Sequence, residues 1–191
     1  MMFEPTKKSE LQTPTLSRRG FLSGCAAAAA VLVVPNAFAN IAKKPERVLA
    51  LHHLHTGERT KVTYWADGEY IRDGLKEINH LLRDHRTGDQ HKMDPRLFDL
   101  LHQVQARIGC RGEFHIISGY RSPKTNRMLR QNSNGVAKRS LHMDGKALDI
   151  RLSGCDIKQL HRAAKSLKAG GVGLYTQSNF VHVDTGRVRY W

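Results

Sequence analysis

The chain has 191 residues, 25% of them charged and 40% hydrophobic, which suits one globular domain and excludes a disordered or collagen-like polymer. No apolar run is long enough to give a multi-span membrane protein. Lys plus Arg outnumber Asp plus Glu by 31 to 17, for a net charge of +14, so the expected partners are polyanionic: nucleic acid, anionic lipid or the acidic bacterial cell wall.

Residues 1–16 are polar and irregular. Ser17-Arg18-Arg19-Gly20-Phe21-Leu22 follows, then an Ala-rich apolar stretch to Val34 and the tripeptide Ala37-Phe38-Ala39. A paired-Arg start, a short apolar middle and an A-x-A end make a secretory signal, too short for a stable membrane span. Its S-R-R-x-F-L string resembles the twin-arginine export signal, a receptor-read address and not an anchor. Leu22-Ser23-Gly24-Cys25 resembles a lipoprotein acylation box, but most of the apolar run follows Cys25 instead of preceding it. Cleavage after Ala39 is therefore preferred to lipidation of Cys25, with residues 40–191 as a single periplasmic domain. Export also disfavours nucleic acid as a partner. Cys110 and Cys155 remain, and an oxidising compartment permits a bridge between them as readily as two free thiols.

After a linker over residues 41–46, Arg47–His53 and Arg59–Trp65 read as a hairpin turning at His55-Thr56-Gly57-Glu58. Ile71, Leu75, Ile78 and Leu82 recur at helical spacing, which predicts a helix over 70–85. A polar loop, Arg86–Met93, leads to Asp94-Pro95, the cap and first turn of a second helix with the stripe Leu97, Leu101, Val104 and Ile108. Phe114–Ile117 is a strand, residues 124–132 a helix, and a basic loop runs on to Arg139. Ala147–Leu152 is a strand. Ile157, Leu160, Ala164 and Leu167 mark another helix, expected to end with Gly170-Gly171 at its C-cap, before strands at Val172–Tyr175 and Phe180–Asp184. Interleaved helices and strands with hairpins at both ends predict an α+β fold with a largely antiparallel sheet flanked by helices.

All eleven His lie beyond residue 39. Two segments concentrate chemistry: Ser140-Leu141-His142-Met143-Asp144-Gly145-Lys146-Ala147-Leu148-Asp149, and Asn179-Phe180-Val181-His182-Val183-Asp184. On an extended strand Val181 and Val183 face the core, while Phe180, His182 and Asp184 share the other face. Asp149 is a carboxylate in an otherwise apolar strand, and Gly145 lets the chain bend so that His142 returns toward it. Two imidazoles and a carboxylate with an open fourth position are the ligand set of a catalytic zinc site. A packed core histidine and a turn-capping or ion-paired Asp149 explain the same spacing, and on spacing alone these readings stay open.

The pattern S-x-H-x-x-G-x-A-x-D, with Ser118-Gly119-Tyr120-Arg121-Ser122 upstream and F-V-H-V-D downstream, resembles the zinc peptidases of the D-alanyl-D-alanine carboxypeptidase and hedgehog-like superfamily. The run from Leu54-His55-Thr56-Gly57-Glu58 through Ala169-Gly170-Gly171-Val172-Gly173 to the C-terminal tryptophan is similar to the murein endopeptidase K family within it. The resemblance implies a hedgehog/DD-peptidase-like fold and one zinc ion per chain, held by His142, Asp149 and His182. It implies peptidoglycan as the substrate, with hydrolysis of diaminopimelate–diaminopimelate L,D cross-links. It places Arg121 opposite the developing oxyanion or a substrate carboxylate, and Ser140 beside the ligand loop.

The sequence departs from the superfamily at one point. Where many members carry a Glu base three residues before the last ligand, this chain has Asn179, which cannot take a proton. Asp184 is the nearest carboxylate, as base or as the group that orients His182, and His115 is a lesser candidate. Lys138 and Arg139, with Arg127, Arg130 and Lys146, either line a groove for an anionic substrate or form a solvated basic face. The rival functions are a D,D-carboxypeptidase or D,D-endopeptidase with the same metal chemistry, and a non-enzymatic zinc or murein-binding module.

Overall fold

The computed structural model describes residues 45–133 and 135–191. The expected signal segment over 1–39, with Arg18-Arg19 and Cys25, lies outside the described residues. Among those described, no helix is long and apolar enough to cross a membrane.

Eight strands and four helices alternate through the described chain. They are β1 (Arg47–His53), β2 (Arg59–Ala66), β3 (Glu69–Tyr70), α1 (Arg72–Leu81), α2 (Pro95–Ile108), β4 (Phe114–Ser118), α3 (Pro123–Asn132), β5 (Ala147–Leu152), α4 (Ile157–Ser166), β6 (Gly171–Tyr175), β7 (Phe180–Asp184) and β8 (Arg189–Tyr190). One sheet holds all eight strands in the order β3-β2-β1-β4-β5-β7-β6-β8. The α+β class and the mostly antiparallel sheet match expectation. Two neighbouring pairs, β1 with β4 and β6 with β8, are parallel; a parallel pair needs a crossover, and α1 and α2 supply it for the first.

The local signals explain most of these elements. The Asp94 side chain accepts from the Arg96 amide, Pro95 opens α2, and Gly109 closes it in the left-handed region at φ 73°, as expected for a C-cap glycine. Ser122 caps α3 by accepting from the Thr125 amide. The helix expected over 70–85 is shorter at both ends. Glu69 and Tyr70 pair with Ala66 and Trp65 as β3, and Leu82 is already the C-cap.

Strand alternation sets the layers. Leu49, Leu51, Phe114, Ile116, Leu148, Ile150, Val181 and Val183 are buried on one sheet face, in a single core with Ile78 of α1, Leu97, Phe98 and Leu101 of α2, and Leu160 and Ala164 of α4. The Phe98 and Tyr64 rings meet edge to face, with centroids 5.9 Å apart, a favoured aromatic geometry. Cys110 and Cys155 are free thiols, and burial together with the neighbouring Cys110 pushes the Cys155 thiol up to about 11.

Gly170-Gly171 does not cap α4. Leu167 is the C-cap, in a right-handed conformation, and Gly171 already belongs to β6. The pair is there because the backbone runs hard against the end of β7. A Cβ on Gly170 would stand 1.8 Å from the Asp184 carbonyl oxygen, and one on Gly171 would stand 2.3 Å from the Asp184 carboxylate. Gly170→Ala is therefore expected to destabilise the fold by about 3 kcal/mol, the upper range for forced overpacking. Gly109→Ala, a simple cap glycine with open space around it, should cost about 1 kcal/mol. Urea unfolding of the two variants beside the parent checks the ranking; equal losses would return Gly170 to a capping role.

Candidate metal centre

The sheet register builds the site. Ser118 of β4 stands opposite Asp149 of β5, Asp149 opposite His182 of β7, and His182 opposite Gly173 of β6. This row crosses the sheet on the face away from the core that α1, α2 and α4 cover. His142 reaches the row from the loop before β5. Gly145 takes φ 65° there, and a Cβ on it would lie 2.7 Å from both the His91 ring and the Lys92 carbonyl oxygen. The bend expected at Gly145 thus needs glycine both for its conformation and for the close approach.

His142, Asp149 and His182 offer one nitrogen or oxygen each, all within 4.8 Å of one another, and all three residues are buried. His142 Nε2 is 3.4 Å from Asp149 Oδ2, and His182 Nδ1 is 2.8 Å from Asp149 Oδ1. The far nitrogen fixes the tautomer of His142. A carbonyl oxygen only accepts, so His142 Nδ1–H donates to Gly119 O at 2.9 Å and the Nε2 lone pair faces Asp149. His182 lies between two carboxylates, with Nε2 3.1 Å from Asp184 Oδ2 and Nδ1 2.8 Å from Asp149 Oδ1; a metal ion on Nδ1 would leave the ring proton on Nε2, donated to Asp184. Two imidazole nitrogens and a carboxylate converge, and both imidazoles are oriented from behind by acceptors. That is the donor set and outer support of a divalent-metal site, so these residues fit a bound metal ion.

The charges agree. Burial alone would raise Asp149, but His142 and His182 hold its carboxyl well below the usual carboxylate range. Burial opposes a protonated His182, yet its hydrogen bonds to Asp149 and Asp184 raise its pKa above the ordinary value.

Asp184 lies behind the ligands. It is fully buried and accepts from Arg189 Nη2 at 2.7 Å and Nη1 at 3.2 Å. The amides of Gly171, at 3.0 Å, and Gly186, at 2.8 Å, also donate to it. Burial would push its pKa up, but these donors and His182 hold it well below the usual range. Asn179 adopts φ 52° in the turn before β7, and its carbonyl accepts from Arg151 Nε. His115 packs with His52 and Glu113 and is not among the residues lining the cleft.

A cleft of about 730 Å³ opens over the three ligands, lined by Arg86, Arg121, Arg139, Ser140, Tyr175, Phe180, Arg189 and Trp191 among others. Arg121 is 4.0 Å from Asp149 Oδ2 and 3.4 Å from Ser118 Oγ; burial lowers the pKa of its guanidinium while Asp149 opposes the shift. Of the basic residues singled out around the loop, Arg139 lines the cleft, whereas Arg127, Arg130, Lys138 and Lys146 do not. Ser140 lines it too, and its carbonyl closes the ligand turn by accepting from Met143 N at 2.9 Å.

Several contributors had no signature in the sequence. Buried Asp84 accepts from the amides of Arg86 and Ser122, each at 2.9 Å, and so anchors the segments that carry two cleft arginines. Burial would raise its pKa, but hydrogen bonds from Thr125, Ser122 and Arg86 hold it at about 2. Trp191 lies over Gly173, where a Cβ would meet the indole at 2.4 Å. Its ring centroid is 5.3 Å from that of His182, and its Nε1–H donates to Tyr175 OH at 2.9 Å.

The chain is similar to known proteins over nearly its whole length. Residues 41–191 match the family model described as peptidoglycan L,D-endopeptidase MepK. The peptidoglycan L,D-endopeptidase MepK of Escherichia coli is 45% identical over 170 residues, which cover 89% of this chain and 93% of that protein; the Shigella flexneri protein of the same name matches equally. The probable peptidoglycan L,D-endopeptidase MepK of Haemophilus influenzae is 41% identical over 177 residues, covering 92% of this chain and 95% of its own. No solved structure matches. With a family model matched over residues 41–191 and relatives this similar over nearly their whole length, the chain belongs to the peptidoglycan L,D-endopeptidase MepK family.

Proposed function

We propose that this chain is a zinc-dependent murein endopeptidase that cuts diaminopimelate–diaminopimelate L,D cross-links in the periplasm. The observation that carries the proposal is the convergence of His142 Nε2, Asp149 and His182 Nδ1, each imidazole fixed from its far side. A zinc ion bound there would polarise the scissile carbonyl and activate a water molecule for attack near neutral pH. Two imidazoles and one carboxylate leave a coordination position open, the mark of a catalytic rather than a structural site. The hedgehog/DD-peptidase-like fold belongs to the same reading, supported by the ligand row across one sheet face.

Arg121 faces the cleft beside the ligands, where a guanidinium can stabilise a developing oxyanion or grip a stem-peptide carboxylate. Arg86 and Arg139 extend that positive lining, which suits a substrate with a free carboxylate next to each unusual linkage. Asp184 has Arg189 and two amides on its oxygens, so its role in this reading is to orient His182 and keep Nδ1 unprotonated toward the metal. Asp149 is the only side-chain carboxylate among the described residues lining the cleft. Residues 1–39 are proposed as a twin-arginine signal cleaved after Ala39, which would bring the domain to its wall substrate.

Chromatography of fragments from cell-wall sacculi tests the substrate. Cross-linked dimers should fall to monomers, with diaminopimelate–diaminopimelate links cut before D-alanine–diaminopimelate links, and a chelator should stop the reaction. Release of free D-alanine with the dimers intact would make the enzyme a carboxypeptidase instead.

The ligand set is tested by His142→Ala and His182→Ala. Each should lose bound metal and cleavage together, because three protein ligands are near the minimum for retention. In the parent, metal occupancy should fall as the pH is lowered, since the raised pKa of His182 lets protons compete for its nitrogen. Full zinc content in both variants would refute the ligand assignment.

Arg121→Ala should keep its zinc and cut turnover by about two to three powers of ten, the usual cost of losing one oxyanion-type donor. Unchanged turnover would remove Arg121 from the chemistry.

Asp184→Asn separates orientation from proton transfer. As an orienting group, its loss should weaken zinc binding by about 10- to 100-fold, with activity restored by excess zinc and an unshifted acidic limb of the pH–rate profile. Full zinc affinity with activity abolished would make Asp184 the base.

A further inference from the structure

The sheet face that carries the catalytic ligands holds a second convergence of metal-binding side chains. On β5, Asp149 and Arg151 are two residues apart and so share a face. Arg151 stands opposite His115 of β4, and His115 opposite His52 of β1. Glu113, two residues before His115, points the same way. His115 Nε2 is 3.3 Å and His52 Nδ1 3.6 Å from Glu113 Oε1. The two rings meet edge on, with centroids 5.3 Å apart, and one donor atom from each of the three residues lies within 4.8 Å of the others. All three are half-buried, so the group is ordered by strands and is not a chance meeting of surface side chains.

A cation already visits this place. Arg59 of β2 stands opposite His52, with Nε 3.5 Å from Glu113 Oε1 and Nη2 3.2 Å from His52 Nδ1. A guanidinium can only donate, so His52 presents its Nδ1 lone pair toward that spot and keeps its proton on Nε2. The Arg59 side chain is 63% exposed, so it can swing into solvent at little cost. On the other flank the Arg151 guanidinium is turned away, donating to the Asn179 and Ser178 carbonyls.

We propose that His52, Glu113 and His115 form a second site for a divalent transition-metal ion, with Arg59 occupying it when the metal is absent. Two imidazole nitrogens and a carboxylate oxygen suit zinc, nickel or copper(II) and disfavour magnesium or calcium. The site is distinct from the catalytic one: His115 precedes Ser118, which pairs with Asp149, by three residues, about 10 Å along a strand. A metal there would clip β1 to β4, the parallel pair that the α1–α2 crossover joins, and so stabilise the sheet by mass action.

The test starts from holoenzyme with its catalytic zinc in place, at pH 7.5. Equilibrium dialysis against added zinc or nickel, followed by elemental analysis, should show one further equivalent per chain, and the melting temperature should rise with metal concentration. The double variant His52→Asn, His115→Asn should lose both the extra equivalent and the metal-dependent rise, with murein cleavage unchanged. Arg59→Gln should bind the extra metal about tenfold more tightly, because a competing positive charge has gone. A parent that takes up no second equivalent would overturn the proposal, as would a double variant that keeps it while folded by circular dichroism. Equal affinity in the parent and Arg59→Gln would remove Arg59 from the site.

Discussion

The imidazole of His182 sits between two buried carboxylates, and the rest of the site is arranged to make that tolerable. Read across the sheet, nitrogen groups and carboxylates alternate: Arg121, Asp149, His182, Asp184, Arg189, with successive separations of 4.0, 2.8, 3.1 and 2.7 Å. A buried carboxylate without partners is costly, and removing one member of a buried pair costs more than the pair contributes. The ladder therefore stands or falls as a unit. It also explains the oddities of β6: an amide of Gly171 closes the ladder at Asp184, and the strand comes close enough only because residues 170 and 171 carry no side chain.

The sequence revealed the parts whose information is local. The hairpin, the Asp94-Pro95 start of α2 and the alternation around His182 follow from periodicity and cap chemistry, and the structure shows each of them. The motif around His142 and Asp149 was legible because a glycine bend and a strand within ten residues are enough to bring the two side chains together. What stayed hidden depends on pairings between distant segments. β3 and β8 are two residues each, too short for any periodic signal. The parallel joining of β1 to β4 is set by a crossover and not by either strand's own residues. Arg189 looks like one more surface arginine until β8 docks beside β6 and delivers it to Asp184. Gly170-Gly171 looked like a helix cap because a glycine pair after an apolar stripe usually is one; here close packing, not helix termination, demanded it.

The positive charge of the chain is concentrated where it matters and scattered elsewhere. Arg86, Arg121, Arg139 and Arg189 line the cleft, while the neighbouring loop and helix carry other basic groups outward. Inside the cleft a guanidinium acts at low dielectric and can clamp a carboxylate with two parallel hydrogen bonds. On the open surface the same charge acts over about a Debye length and mainly concentrates an anionic polymer nearby. Of the cleft arginines, Arg189 is braced by buried Asp184, and the backbone that carries Arg86 and Arg121 is anchored by buried Asp84.

Trp191 and Arg189 wall the cleft from the segment that carries β8, the edge strand beside β6. The segments that carry His142, Asp149 and His182 all precede residue 189, and β5, β6 and β7 pair with one another without it. Residues 189–191 supply the wall over Gly173 and the guanidinium brace on Asp184. A chain cut short of residue 189 would therefore keep His142, Asp149 and His182 and lose the brace on the carboxylate behind His182.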